Sequence, residues 1–399
     1  AAVVERGRPR VLSSGLGYST IPSIVTFDEQ GQPVVGQPAM RQMALRPEET
    51  VYGSKRLLGR AYLSGVKKRF QPHFAYELVG EDGWVAAKVC DRVVSLTEVA
   101  SLILREVRKS AETAIDDRVD RAVVTVPAYF NDAQRSCVRE AGELAELNVI
   151  RTLNEPTAAA LAFGTRQTER KKVVVFDLGG GTFDVSIVDI DADMYEVLGV
   201  DGCTFLGGID FDRACMNLVT DRLSEKAGKE LLLAQISRER LRTAVEESKQ
   251  LLSTQPNSVV QLPHLELADG STLDVDESIT RPELEDAVRP LVDRTLEIVQ
   301  RALETIDLAP QDIDDVLLVG GQTRMPMVHR QLRSLFGQEP SKRVHPDEVV
   351  AIGAAIAAVS LERADAPVLL DVVPLSIGLE QPDGKFEVVV PRNTQVPHR

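Results

Sequence analysis

The chain has 399 residues, 43% hydrophobic and 27% charged, the balance of a globular protein with material for more than one core. Lys and Arg number 46 against 60 Asp and Glu, a formal net charge of -14; such a chain repels phosphate backbones, which argues against nucleic acid as a partner. Four cysteines without a CxxC pair and five histidines scattered away from them argue against a zinc site or a disulfide framework, and no apolar run is long enough to span a bilayer. Buried free thiols are the expectation, and no signal peptide is visible.

Ala2–Val4 and Val11–Leu12 flank a turn at Gly7-Arg8-Pro9, and Ser23–Phe27 reads as the next strand. Leu96, Val99, Ala100, Ile103, Leu104 and Val107 recur at helical spacing, predicting a helix over Leu96–Ile115. Ala122–Val126 is a near-continuous β-branched run that suits a strand buried on both faces. Asn131 and Asp132 can cap a helix to about Leu147. A strand at Val149–Leu153 leads into a helix over Thr157–Phe163, with Pro156 in its first turn and Gly164 at its end.

The second half opens on a buried strand, Val173–Asp177, then Gly179-Gly180-Gly181. Strands Val185–Ile190 and Tyr195–Val200 follow, joined at Asp191-Ala192-Asp193. A helical block spans about 210–253, a β-rich patch 258–275, and a helix 281–306. Val316–Val319 is a strand ending in Gly320-Gly321, and Asp347–Ser360 a further helix. The N-terminal hairpin and the pair after the triple glycine echo each other, which a duplicated lobe would explain.

Asp177-Leu-Gly-Gly-Gly-Thr-Phe-Asp184 is the strongest chemical signal. An apolar strand delivers a carboxylate, and glycines let backbone N–H groups wrap phosphate oxygens without Cβ clashes. Asp177 and Asp184 are placed to hold magnesium through its waters, and Thr182 to meet a γ-phosphate or an attacking water. A tight turn with no ligand is the competing reading. No GxxxxGK[ST] occurs, and Asp184 takes the place of the third glycine of GxGxxG, so neither the Walker loop nor the dinucleotide fingerprint applies. Gly320-Gly321 can bring backbone against a flat ligand such as a purine, or can be a plain strand-to-helix turn. Gly207-Gly208 is a weaker example. Glu155 stands at a strand-to-helix junction, where a carboxylate either satisfies the helix dipole or orients a water.

Five segments now act together: Val126–Arg135, Asn154–Gly164, Asp177–Asp184, Val319–Val328 and Pro346–Ala355. In sequence and order they resemble the signature segments of the 70-kilodalton heat-shock chaperones of DnaK type, over nearly the whole chain. The resemblance implies an α/β, actin-like (ribonuclease H-like) fold of two duplicated lobes around a nucleotide cleft. It implies a domain over 1–365, with lobe I at about 1–167 and 345–365 and lobe II at about 168–344. An interdomain linker at 366–371 and the start of a peptide-binding β-sandwich at 372–399 follow.

By motif, Lys55, Glu155, Asp177 and Thr182 would serve ATP hydrolysis, with Asp177, Asp184 and, through water, Glu155 around magnesium. Gly179, Gly180, Gly181, Gly207, Gly208, Glu246, Lys249, Ser253, Gly320, Gly321, Arg324 and Asp347 would hold the nucleotide. Pro127, Arg135, Leu369, Leu370 and Asp371 would couple nucleotide state to the missing substrate domain. The resemblance implies ATP or ADP with Mg2+ and allows K+. The implied partners are a J-domain co-chaperone, a nucleotide-exchange factor and unfolded polypeptides, for a cytoplasmic monomer with no nucleic acid and no membrane. Three positions depart from the family: Phe205 replaces a frequent histidine, Ile209 a common acid, and Gln250 an arginine of some members. The family's first phosphate loop would precede Ala1, so an upstream Asp-x-Gly-Thr-like segment is expected, and weak Mg-ATP binding without it. That leaves two alternatives: a regulatory relative without turnover, and another actin-fold enzyme such as a sugar kinase.

Overall fold

The computed structural model describes residues 1–164, 169–363 and 366–396 of a mixed α/β chain. A six-stranded sheet organises the second half, in the order Asp315–Val319, Lys171–Leu178, Phe183–Asp191, Met194–Cys203, Val368–Val372 and Gln395–Val396. Lys171–Leu178 pairs in parallel with the first of these and antiparallel with Phe183–Asp191. It has neighbours on both edges, and its apolar run is buried on both faces. Side chains alternate across the pleat. Val174, Phe176 and Leu178 join one core with Phe211, Cys215 and Val219 of helix Gly208–Ala227 and Val292 and Val299 of helix Arg281–Glu304. Val173 and Val175 join another, with helix Glu155–Gly164 and Ala357 of helix Val349–Ser360. Those last two helices cross so closely that a Cβ on Gly353 would lie 1.8 Å from the Ala158 carbonyl oxygen.

The first half holds smaller sheets. Ala2–Glu5 and Arg8–Val11 form an antiparallel hairpin, and Arg121–Val126 runs parallel to Asn148–Asn154. Two three-stranded sheets follow, Pro33–Val35/Ile24–Phe27/Thr50–Tyr52 and Glu77–Glu81/Trp84–Val89/Arg92–Ser95. Ser95 caps helix Leu96–Ile115 by accepting the Glu98 N–H. Asn131 and Gln134 close a reciprocal capping box on helix Asp132–Leu144.

Several expectations are corrected. The run 122–126 is not buried on both faces: only Val126 is buried, and among the described residues this strand is paired along one edge. Of the four free cysteines only Cys215 is buried, and Cys90 is exposed. The helix expected from Asp347 begins at Val349. The residues expected as the linker lie on a sheet edge. Val368, Leu369 and Leu370 pair in parallel with Met194, Tyr195 and Glu196, so the apolar run satisfies its backbone on the sheet edge. Beyond it, Ile377–Glu380 and Phe386–Val390 form an antiparallel hairpin. The expected boundaries at 167/168 and at 365, and the last three residues of the chain, lie outside the described residues.

Candidate functional site

The glycine loop joins Lys171–Leu178 to Phe183–Asp191, and the antiparallel register sets Asp177 directly opposite Asp184. Both carboxylates are buried. Burial, then the charge of Glu155, pushes Asp184 up to about 7; Lys55, the Tyr129 N–H and the Thr182 hydroxyl pull the other way. Burial, Glu155 and Asp184 hold Asp177 well above the ordinary carboxylate value. Lys55 rises on the three-residue 3-10 turn Ser54–Arg56, started by Gly53 in the left-handed region. Its ammonium lies 2.6 Å from Glu155. Desolvation works against that ammonium, yet Glu155, Asp177 and Asp184 hold its pKa above the usual lysine value. Three acids thus face one lysine. Among the described residues no three His, Cys, Asp or Glu side chains are close enough to ligate a metal directly. A hydrated divalent cation fits this donor set, because it relieves like-charge crowding without requiring direct ligation.

The other two glycine pairs converge on the same loop. Gly208 and Ile209 donate N–H bonds to the Gly179 and Gly180 carbonyls, at 2.9 Å each. A Cβ at Gly207 would lie 2.7 Å from Gly181 backbone. Gly320 has φ +83°, and a Cβ there would sit 2.4 Å from the Leu178 carbonyl oxygen. Lys249 and Glu246 lie on helix Gln235–Leu251, and Lys249 pairs with Asp212 at 2.7 Å and donates to the Gly208 carbonyl. Glu246 pairs with Arg242. Arg324 pairs with Asp347, whose carboxylate also lies beside Gly321. Among the described residues no side-chain hydrogen bond joins Ser253 to this group; its backbone N–H donates to the Gln250 carbonyl.

A polar relay leads from the carboxylates to the tail. Tyr129, two residues after Pro127, donates its N–H to Asp184 at 3.4 Å. Arg135 donates to the Ala128 and Phe130 carbonyls and, at 2.7 Å, to the Asn154 side chain. Asn154 in turn donates to Asp371 at 2.6 Å. Burial raises the Asp371 pKa against the pull of the Val372 N–H, Arg135 and Asn154. Leu369 packs against the core that holds Tyr195 and Val197. Sequence reasoning named Pro127, Arg135 and Asp371 but not Asn154 and Tyr129, which join them here. Only the position of Asn154, next to Glu155, could have drawn attention to it.

A family model described as Hsp70 protein matches residues 1–399. The chain belongs to the Hsp70 family. It is also similar to the heat shock protein SSC3, mitochondrial, of Saccharomyces cerevisiae, at 40% identity over 402 residues. The match covers 100% of this chain and 62% of that relative, so the chain spans under two thirds of its length. The cytoplasmic location expected from the sequence is corrected here, since this Hsp70 relative is a mitochondrial protein. Neither the regulatory relative nor the sugar kinase finds support in these matches, which name a heat shock protein throughout the region compared.

Proposed function

We propose that this Hsp70 chain is the ATP-binding and ATP-hydrolysing motor of a DnaK-type chaperone, coupling its nucleotide cycle to binding and release of unfolded polypeptides. The observation that carries the reading is the Asp177/Asp184 pair, set across the glycine loop beside the Lys55–Glu155 ion pair. Residues 1–365 would be the actin-like domain, with lobe I at about 1–167 and 345–365 and lobe II at about 168–344. Residues 366–371 would be the linker and 372–399 the start of the β-sandwich. The hairpin of Ala2–Val11 and that of Phe183–Cys203 support duplication, as both are antiparallel pairs.

The backbone N–H groups of Gly179–Gly181 would cradle phosphate oxygens. Thr182 would meet the γ-phosphate. Gly320, Gly321, Arg324 and Asp347 would form one wall of the adenosine site, and Glu246, Lys249 and Ser253 the other, with Gly207 and Gly208 beneath the phosphates. Asp177, Asp184 and Glu155 would hold the waters of a magnesium ion, which supplies charge neutralisation at the phosphates. Glu155 and Asp177 would orient the attacking water, and Lys55 would stabilise charge on the transferring phosphoryl group. Such catalysis rests on positioning and electrostatics. Pro127 and Arg135 would report nucleotide state through Asn154 to Asp371, Leu369 and Leu370. J-domain co-chaperones, exchange factors and client polypeptides would act on this cycle, with K+ allowed beside Mg2+.

Single-turnover phosphate release from ATP by the full-length protein, with and without Mg2+, tests the reading. Magnesium-dependent formation of ADP is expected. Tight Mg-ATP binding with no phosphate release would instead identify a regulatory nucleotide binder.

A further inference from the structure

Arg56 is fully buried, at 1% exposure, and nothing in the proposed chemistry uses it. Its Nε donates to the Gly181 carbonyl at 2.7 Å. Its two terminal nitrogens reach the two oxygens of Asp210, at 3.4 and 2.5 Å. The guanidinium lies 5.1 Å from the centroid of the Phe205 ring, which stacks on Phe70 at 4.7 Å. Asp210 is itself committed, accepting the Gly207 N–H at 2.9 Å. One side chain therefore ties three segments: its own 3-10 turn, the last glycine of the glycine loop, and the glycine pair that opens helix Gly208–Ala227.

Burying a guanidinium is costly, and an apolar residue of similar volume would knit the same segments at lower desolvation cost. What an apolar residue would not supply is direction: three donors fix the turn against the glycine loop in one geometry. Lys55 is the preceding residue of that three-residue turn. Glu155 holds its ammonium, while Arg56 fixes the backbone that carries it against Gly181, the residue before Thr182.

We infer that Arg56 is a positioning residue for phosphoryl transfer, holding Lys55 in register with the glycine loop through Gly181 and Asp210. The inference rests on the reading of Lys55 given above. The test is a double-mutant cycle in the full-length protein, reading single-turnover ATP hydrolysis and ADP affinity for wild type, Arg56→Lys, Lys55→Ala and the double variant. A lysine keeps the charge but cannot make the three bonds at once. Arg56→Lys is expected to slow hydrolysis by on the order of 10-fold, with ADP affinity held within about threefold. On the Lys55→Ala background it should slow hydrolysis no further, within about twofold. Asp210→Asn, which weakens the same tie but leaves an acceptor for Gly207, should follow the same pattern, so the cycle can be read if Arg56→Lys fails to fold. Equal slowing on both backgrounds, or ADP affinity lost in step with hydrolysis, overturns the inference while leaving the proposed function intact. A Lys55→Ala variant that hydrolyses normally removes the role given to Lys55 and this inference with it, while ATP hydrolysis itself stands.

Discussion

The tail strand gives the account a sharp prediction. Val368–Leu370 pair with Met194–Glu196, Val368 donates its N–H to the Asp193 carbonyl at 2.8 Å, and Asn154 holds Asp371. Leu369 and Leu370 are each half-buried. Half of a full leucine burial is about 1 kcal/mol, so replacing both removes about 2 kcal/mol. A carboxylate placed against the core that Leu369 touches adds at least about 1 kcal/mol. The double substitution Leu369→Asp with Leu370→Asp should therefore lower the docked-to-undocked ratio by about two orders of magnitude. Amide hydrogen exchange reads this directly. Amides of residues 368–370 should exchange about 100-fold faster, while those of Val174–Phe176, at the centre of the sheet, should be unchanged. Any stimulation of ATP hydrolysis that depends on the linker should vanish with the docking. Unaltered protection at 368–370, or equal hydrolysis rates with intact and substituted tails, would refute the assignment of this strand as the coupling element.

Three further outcomes can be measured independently. Gly353→Ala forces the two crossing helices apart, since its Cβ would overlap the Ala158 carbonyl, and should cost about 1–3 kcal/mol or more, read as a drop in Tm; an unchanged Tm would contradict the close crossing. Asp212→Ala leaves the Lys249 ammonium buried without its partner and should destabilise by about 3–5 kcal/mol in urea unfolding, whereas a loss below about 1 kcal/mol would mean the pair is solvated. Magnesium added to the nucleotide-free protein at pH 7 should release protons, because Asp184, pushed up to about 7, is in part protonated there, and Asp177 is shifted in the same direction. The sign for stability follows: with folded values above the unfolded one near 3.9, the metal-free fold binds more protons than the unfolded chain. The stability contributed by Asp184 falls as pH rises between about 4 and 7. Calorimetric heats that do not vary with buffer ionisation enthalpy would contradict the shift.

What the sequence disclosed depended on whether a local pattern has one physical solution. Lys171–Leu178 was legible because a β-branched run followed by three glycines and a hydroxyl can be satisfied in few ways, and it leads to a central strand with both edges paired. The run at 122–126 has the same composition but a different neighbourhood, and a strand's own residues do not record how many edges are paired. The pairing of the tail was not legible for a related reason: the residues of Val368–Val372 do not record the partners they meet, Met194–Glu196 on one side and Gln395–Val396 on the other. Arg56 escaped notice because an arginine beside a lysine reads as solvated charge, while its partners Gly181 and Asp210 lie far away in sequence. Asn154 escaped because a short amide says nothing of its distant partners Arg135 and Asp371. Cellular location is addressed by signals that leave no trace in the packing of these residues, and the expectation there failed.

The central claim is that the Lys55 ammonium, paired with Glu155 and facing Asp177 and Asp184, acts on a phosphoryl group in transfer. Single-turnover ATP hydrolysis by Lys55→Ala in the full-length protein, with ADP affinity measured alongside, tests it most directly. Loss of one electrostatic stabiliser should slow hydrolysis by on the order of 100-fold or more and change ADP affinity little. Near-normal turnover would remove Lys55 from the mechanism and contradict the account of the site.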